Sequence, residues 1–169
     1  SDMREQLTES DVKKIQEEIE YRKLVVRKEA IEAVKEARAQ GDLSENFEYY
    51  AAKKDKNKNE SRIRYLEKML KHARIVSDTS KDDEVGINNT VDIYFEDDDE
   101  TETYRLVTSV RGNSLQGLIS IESPLGRAIR GHKAGDRVKV KTNGEDGYFV
   151  VIRKIDKTTD DSNDTLRRY

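Results

Sequence analysis

Ala37-Arg38-Ala39-Gln40-Gly41-Asp42-Leu43-Ser44-Glu45-Asn46-Phe47-Glu48-Tyr49-Tyr50 is the stretch on which the fold turns. Within it only Gly41-Asp42-Leu43 separates two long helical patterns, and so short a connection makes the helices antiparallel neighbours. Upstream, residues 10–40 contain neither Gly nor Pro. Val12, Ile15, Ile19, Val26, Ala30, Ala33 and Ala37 recur at spacings near three and four, which predicts one helix with a narrow apolar stripe. Ser10 or Asp11 suits its start and Gly41 its stop. Downstream, from about 44 to 75, the apolar points are Phe47, Tyr50 and Ala51, then Ile63, Leu66, Leu70 and Ala73, the seam of a coiled coil. The middle of this second helix, Lys53-Lys54-Asp55-Lys56-Asn57-Lys58-Asn59-Glu60, has almost no apolar content and is expected to be solvated on most faces. About 30 residues per arm at ~1.5 Å each give a rod of roughly 45 Å. Ala37, Ala39, Ala51 and Ala52 keep its far end slim.

Composition agrees with an extended, solvated shape. Of 169 residues 40% are charged and 34% hydrophobic, and there is no tryptophan, less apolar material than one compact core of this length would draw on. Residues 1–76 hold 18 Lys+Arg against 16 Asp+Glu, the remainder 14 against 19. That split suggests two units in different surroundings. The chain has no cysteine, which excludes disulfides and thiolate metal sites. Its first residues carry no apolar signal segment and no stretch approaches the ~20 apolar residues of a membrane span, so a cytoplasmic protein with no membrane partner is expected.

After residue 76 the pattern changes. Ser77 to Asn89 reads as a polar linker. Thr90–Phe95 and Tyr104–Thr108 form a hairpin across the acidic turn Glu96–Glu102, and 117–121 a further strand. Ser123-Pro124 suits a helix start, with Ile129 near the end and Gly131 beyond it. Arg137–Lys141 and Tyr148–Ile152 alternate as a second hairpin across Asn143-Gly144-Glu145-Asp146-Gly147. The predicted class is α+β: an antiparallel coiled-coil hairpin over 5–76 with an acidic tip, a linker over 77–89, an α+β domain with a mostly antiparallel sheet over 90–156, and a polar tail over 157–169, expected to be disordered.

Few residues offer chemistry. His72 and His132 lie far apart without evident partners, and Glu96–Glu102 lacks the glycine and distal glutamate of a calcium loop. No phosphate loop, nucleophile triad or zinc spacing is present. The tip remains. Asp42 with Glu45 three residues on reads as a capping box. The same spacing sets two carboxylates side by side at the end of a rod, where a hard divalent ion such as magnesium takes oxygen ligands. Two carboxylates alone make a weak site, so further ligands must come from another molecule. Ser44 and Asn46 either finish the turn or hydrogen-bond a water or phosphate there. Tyr49 or Tyr50 can stack on a base, although Tyr50 follows the seam. Lys53, Lys54, Lys56, Lys58, Arg62 and Arg64 form either a solvated face or a basic stripe.

Residues 41–53, Gly41-Asp-Leu-Ser-Glu-Asn-Phe-Glu-Tyr-Tyr-Ala-Ala-Lys53, resemble the tip signature of the bacterial Gre transcript-cleavage factors. Ser123-Pro-Leu-Gly-Arg-Ala-Ile-Arg-Gly131 with Ala134-Gly-Asp-Arg-Val138 resembles the signature of their C-terminal domain. The resemblance spans about residues 5–155 and is nearer to the GreA than to the GreB branch. It implies a C-terminal domain of FKBP-like fold docked at the mouth of the secondary channel of RNA polymerase, and a coiled coil that enters that channel when the enzyme has backtracked. Asp42 and Glu45 then help hold the second magnesium ion and position the attacking water, and the polymerase cuts its own RNA near the 3′ end. By the same resemblance the chain is a monomer and no enzyme in itself, with no cofactor of its own beyond magnesium shared with the polymerase. Arg38, Lys54 and Lys58, with Ser44 and Asn46, are its candidate contacts to RNA; DNA binding is implied as well. The chain lacks the proline often found before the last hairpin, around Lys141-Thr142-Asn143-Gly144, and its tail lies beyond the family core. Two rivals stand beside this reading: a channel-binding inhibitor of the same shape, and a coiled-coil chaperone or adaptor with an FKBP-like domain.

Overall fold

The computed structural model describes residues 4–41 and 45–168. They divide into two compact units, one built on Asp11–Ala73 and the other on Gln6–Ser10 and Arg74–Tyr169. The expected boundary at residue 76 therefore shifts. Strand β1 (Gln6–Leu7) pairs in parallel with β2 (Arg74–Ile75), and Leu7 is fully buried, which draws both segments into the second unit.

The first unit is the expected antiparallel helical hairpin. Its first arm comprises α1 (Glu9–Tyr21), a π-helical segment (Arg22–Val26) and α2 (Arg27–Arg38); its second is α3 (Phe47–His72). Helix α1 begins ahead of Ser10 and Asp11, so neither caps it, and Asp11 is buried within its first turns. Ile15, Ala37, Ile63 and Leu66 are buried as the stripes require. Beyond the π segment Ala33 is exposed and Val34 is half-buried, as expected where a wider turn changes the phase of a helix.

The middle of α3 departs from expectation. Lys53, Lys54, Asp55, Asn57 and Lys58 are exposed, but Asn59 and Arg62 are buried. With no apolar residue to offer, α3 meets the first arm through paired polar groups. Asn59 Nδ2 donates to the Arg22 carbonyl at 3.2 Å, and Asn59 Oδ1 accepts from Arg22 Nη1 at 3.0 Å. Glu18 Oε2 accepts from Arg22 Nε at 2.7 Å and Arg62 Nε at 2.8 Å. Arg27 grips Glu60 with two bonds of 2.8 and 2.9 Å, and Lys23 reaches Glu67 at 3.0 Å. The π segment belongs to this arrangement, because the Arg22 carbonyl accepts from the Arg27 N–H five residues on as well as from Asn59.

The second unit carries a five-stranded sheet in the order β5-β4-β3-β7-β6, with β3 (Thr90–Phe95), β4 (Glu100–Val107), β5 (Leu118–Ser120), β6 (Arg137–Thr142) and β7 (Glu145–Asp156). Within this sheet the β4–β5 pair is parallel and the other pairs are antiparallel. Helix α4 (Pro124–Ile129) begins as predicted: Ser123 Oγ accepts from the Gly126 N–H at 3.1 Å. Gly126 is obligatory for closeness, since a Cβ there would lie 1.9 Å from the Ser120 carbonyl oxygen. The second hairpin turns on Asn143-Gly144 alone, with Gly144 at φ +72, and is tighter than the predicted five-residue loop.

Two expectations about irregular segments fail. Residues 77–89 are not all linker: Val85 and Ile87 are buried in the core with Val91, Ile93, Leu106 and Ile129, and the Val85 N–H donates to the His132 carbonyl. Residues 157–168 form no helix or strand, as the composition suggests, but they are not loose. Lys157 Nζ donates to Ser80, Lys81 and Glu84, and Asp164 pairs with Arg105 and Arg111. Hydrogen bonds and ion pairs supply this attachment. Among the described residues no helix is long and apolar enough to cross a membrane.

The polar contacts of the hairpin make it sensitive to acid. Burial alone would raise the Glu18 carboxyl, but hydrogen bonds from Arg62 and Arg22 outweigh it and hold it below the ordinary 4.5; Arg27 does the same for Glu60. Groups depressed on folding contribute stability that is whole above their unfolded value and is lost as pH falls through the folded one. The helical melting midpoint followed by circular dichroism should fall as pH drops below the ordinary carboxyl value of 4.5, and Glu18→Gln should flatten that decline.

Candidate functional site at the turn of the hairpin

The first arm ends at Arg38, and the Ala39 and Gln40 N–H groups bond back to the carbonyls of Lys35 and Ala37. Gly41 follows at φ +135, a conformation that glycine tolerates and side chains resist. Asp42 and Ser44 lie outside the described residues. Glu45 is exposed, immediately before the first turn of α3.

Asn46 caps α3. Its Oδ1 accepts from the Tyr49 N–H at 3.1 Å, while its Nδ2 donates to the Ala37 carbonyl at 2.6 Å. One amide thus closes the start of α3 and ties it to the end of α2. Helix α3 begins at Phe47 with Asn46 as its cap: an amide offers both a donor and an acceptor where the turn needs both, and a carboxylate offers only acceptors. Glu45 is left outside the cap.

The aromatic residues take different places from those expected. Tyr49 is buried to 9% exposure, whereas Tyr50 is 52% and Phe47 85% exposed. Counting back from Ile63 by helical steps through Asn59, Lys56 and Ala52 reaches Tyr49, and that periodicity carries the correct assignment. Arg38 lies over the Tyr49 ring at 5.5 Å, and its guanidinium beside the phenol holds Tyr49 below the usual tyrosine range. Tyr50 meets Tyr49 edge-on, with ring centroids 5.4 Å apart.

The proposed basic stripe divides in two. Arg62 is buried against Glu18 and so faces inward. Arg38, Lys54 and Lys58 are exposed, and Tyr50, Lys54 and Lys58 follow one another at four-residue intervals along α3, which places them on one face. His72 and His132 are both exposed, His132 within 3.0 Å of Asp136.

Residues 5–75 match the family model described as the N-terminal region of transcription elongation factors, and residues 79–157 the one described as the C-terminal region of GreA/GreB. The chain belongs to the GreA/GreB family of transcription elongation factors. Among its relatives, the transcription elongation factor GreA of Streptococcus pneumoniae is 42% identical over 153 residues, covering 90% of this chain and 95% of the relative. GreA of Thermoanaerobacter pseudethanolicus is 45% identical over 136 residues, 80% of this chain and 87% of the relative. That of Bacillus licheniformis is 38% identical over 148 residues, 87% and 94%. Among solved structures, GreA factor homolog 1 of Thermus thermophilus is similar at 25% identity and a TM-score of 0.42, covering 90% of this chain and 98% of the other. Membership in the GreA/GreB family removes the chaperone or adaptor reading.

Because Asn46 holds both ends of the turn, Asn46→Ala should cost about 1 kcal/mol, the usual value of a lost cap. The Tyr49 amide proton should exchange faster with solvent, measured by NMR, with little change at Ile63 and Leu66.

Proposed function

We propose that this GreA/GreB-family chain acts on bacterial RNA polymerase in the cytoplasm, entering the secondary channel of the backtracked enzyme and stimulating its intrinsic cleavage of the nascent RNA near the 3′ end. The observation that carries the reading is Glu45, exposed at the turn of the hairpin and outside the cap that would otherwise have occupied it. Asp42 is its partner by sequence spacing. Their carboxylate oxygens are the hard donors that suit magnesium, and two such groups without further protein ligands suit an ion that a second macromolecule half-coordinates. Asp42 and Glu45 would hold such an ion, which would supply positive charge for the displacement at the phosphodiester.

The chain's own residues have three tasks in this reading. Asp42 and Glu45 present acceptor oxygens to the ion and to the attacking water. Asn46 keeps the turn closed, so that the pair arrives in one geometry. Arg38, Lys54 and Lys58, with Ser44, lie against RNA oxygens, and exposed Tyr50 offers a ring to a base. The protein acts as a monomer and brings no nuclease of its own.

A backtracked polymerase complex carrying end-labelled RNA tests this reading. Wild-type protein should leave free RNA intact and raise the rate of 3′ cleavage by the stalled complex. Replacing Asp42 and Glu45 together with alanine should remove the stimulation, by about a hundredfold or more, while the variant still competes with wild type for the complex. Normal stimulation by the double variant refutes the role of the carboxylates. Inhibition by the wild-type chain favours the same-shaped channel blocker instead.

A further inference from the structure

The family match ends at Lys157, and the proposed function uses nothing beyond it. The chain nevertheless fastens this segment at several points. Thr158 Oγ1 donates to the Asn88 carbonyl at 2.8 Å, and the Thr158 carbonyl accepts from Asn89 Nδ2 at 3.1 Å. A turn closed by the Asp164 N–H on the Asp161 carbonyl, at 3.0 Å, then sets the Asp164 carboxylate between two guanidinium groups, with Asp161 Oδ2 at a longer 3.9 Å from Arg111 Nη1. Asp164 Oδ2 accepts from Arg111 Nη1 at 2.8 Å, and Oδ1 accepts from Arg105 Nη2. Arg105 Nη1 also donates to the Asp160 carbonyl at 2.9 Å. The Arg167 N–H closes the segment on the Val110 carbonyl at 2.6 Å.

Burial makes this more than a surface ion pair. The Arg111 side chain is 0% exposed, Arg105 15% and Asp164 9%. A guanidinium removed from water requires an opposite charge. Arg111 is oriented independently of the tail, since Nη1 also donates to Asn88 Oδ1 at 2.7 Å and Nε to Thr108 Oγ1 at 3.2 Å. Arg105 stands on β4, its backbone held in the sheet. The cationic half of the contact is thus built on the sheet and its flanking turns, and the anionic half arrives on a segment without helix or strand. Guanidinium forks accept carboxylate and phosphate oxygens alike.

We propose that Arg105 and Arg111 form a seat for carboxylate or phosphate oxygens, that the chain's own Asp164 fills it as a built-in ligand, and that the tail is thereby a strap closing the C-terminal unit. This assignment is independent of the hairpin turn and its chemistry.

The test uses the full chain, wild type and Asp164→Asn, melted in chloride and in inorganic phosphate at matched ionic strength. Wild type, its seat full, should show only the general stabilising effect of phosphate on a folded chain, and the variants are read against it. Asp164→Asn should melt lower in chloride and recover part of the loss in phosphate, and adding Arg105→Gln should abolish that recovery. In the single variant the Arg167 amide should exchange at least about tenfold faster as the strap lifts. Asp164→Glu should behave as wild type. If Asp164→Asn does not fold in chloride, folding regained on adding phosphate supports the seat. A variant that melts like wild type, or that gains nothing specific from phosphate in either case, overturns it.

Discussion

A long helical hairpin without a continuous apolar seam must take its register from something else, and Glu18, Arg22, Asn59 and Arg62 supply it here. Hydrophobic contact is permissive, since one methyl-rich stripe slides past another by a turn at little cost. An amide that must satisfy one donor and one acceptor on the facing helix has a single solution. Such buried polar groups contribute less to net stability than to uniqueness, as a lone asparagine does in a coiled-coil seam. The flanking pairs, Arg27 with Glu60 and Lys23 with Glu67, extend the same register along the arms. Everything proposed for the turn depends on this, because the position of Glu45 relative to Asn46 and Ala37 follows from which residue of α3 faces which residue of α2.

Much of this was legible in the sequence because it is local. Ile63 and Leu66 have the period of a seam and are buried; Ser123 ahead of Pro124 has the chemistry of a helix start and caps α4. The strands alternated clearly enough to be placed within a few residues. At the turn, the acidic pair with its three-residue spacing is visible in the sequence, and the cap formed by Asn46 is not. Several residues there have capping chemistry, and what marks out Asn46 is its second contact, to the Ala37 carbonyl. That contact joins two helices and leaves no trace in either alone.

Polar contacts between distant residues are illegible for the same reason on a larger scale. Arg111 and Asp164 are separated by 53 positions, and each looks like an ordinary surface charge in its own neighbourhood. Val85 and Ile87 are two apolar residues in an otherwise polar run, too few to mark a strand, and they enter the core because the backbone around them bonds to His132 and Leu106. Hydropathy reports which segments can bury themselves; it is silent about those that are carried inward or tied down by charge.

The wide turn at Arg22–Val26 bears on how this lineage can vary in length. A residue excised there would return the arm to ordinary α-helical winding of about 3.6 residues per turn, and the portion leading to α2 would keep nearly its present facing, because the wide turn holds one residue more than an α-helical turn. Arg27 would still face Glu60 and Ala37 the amide of Asn46; the local change falls on the Arg22 carbonyl, which takes both the Arg27 N–H and Asn59. The straight-looking arm thus has one point where a residue can be gained or lost without disturbing the turn far along the chain, a tolerance usually met at surface loops.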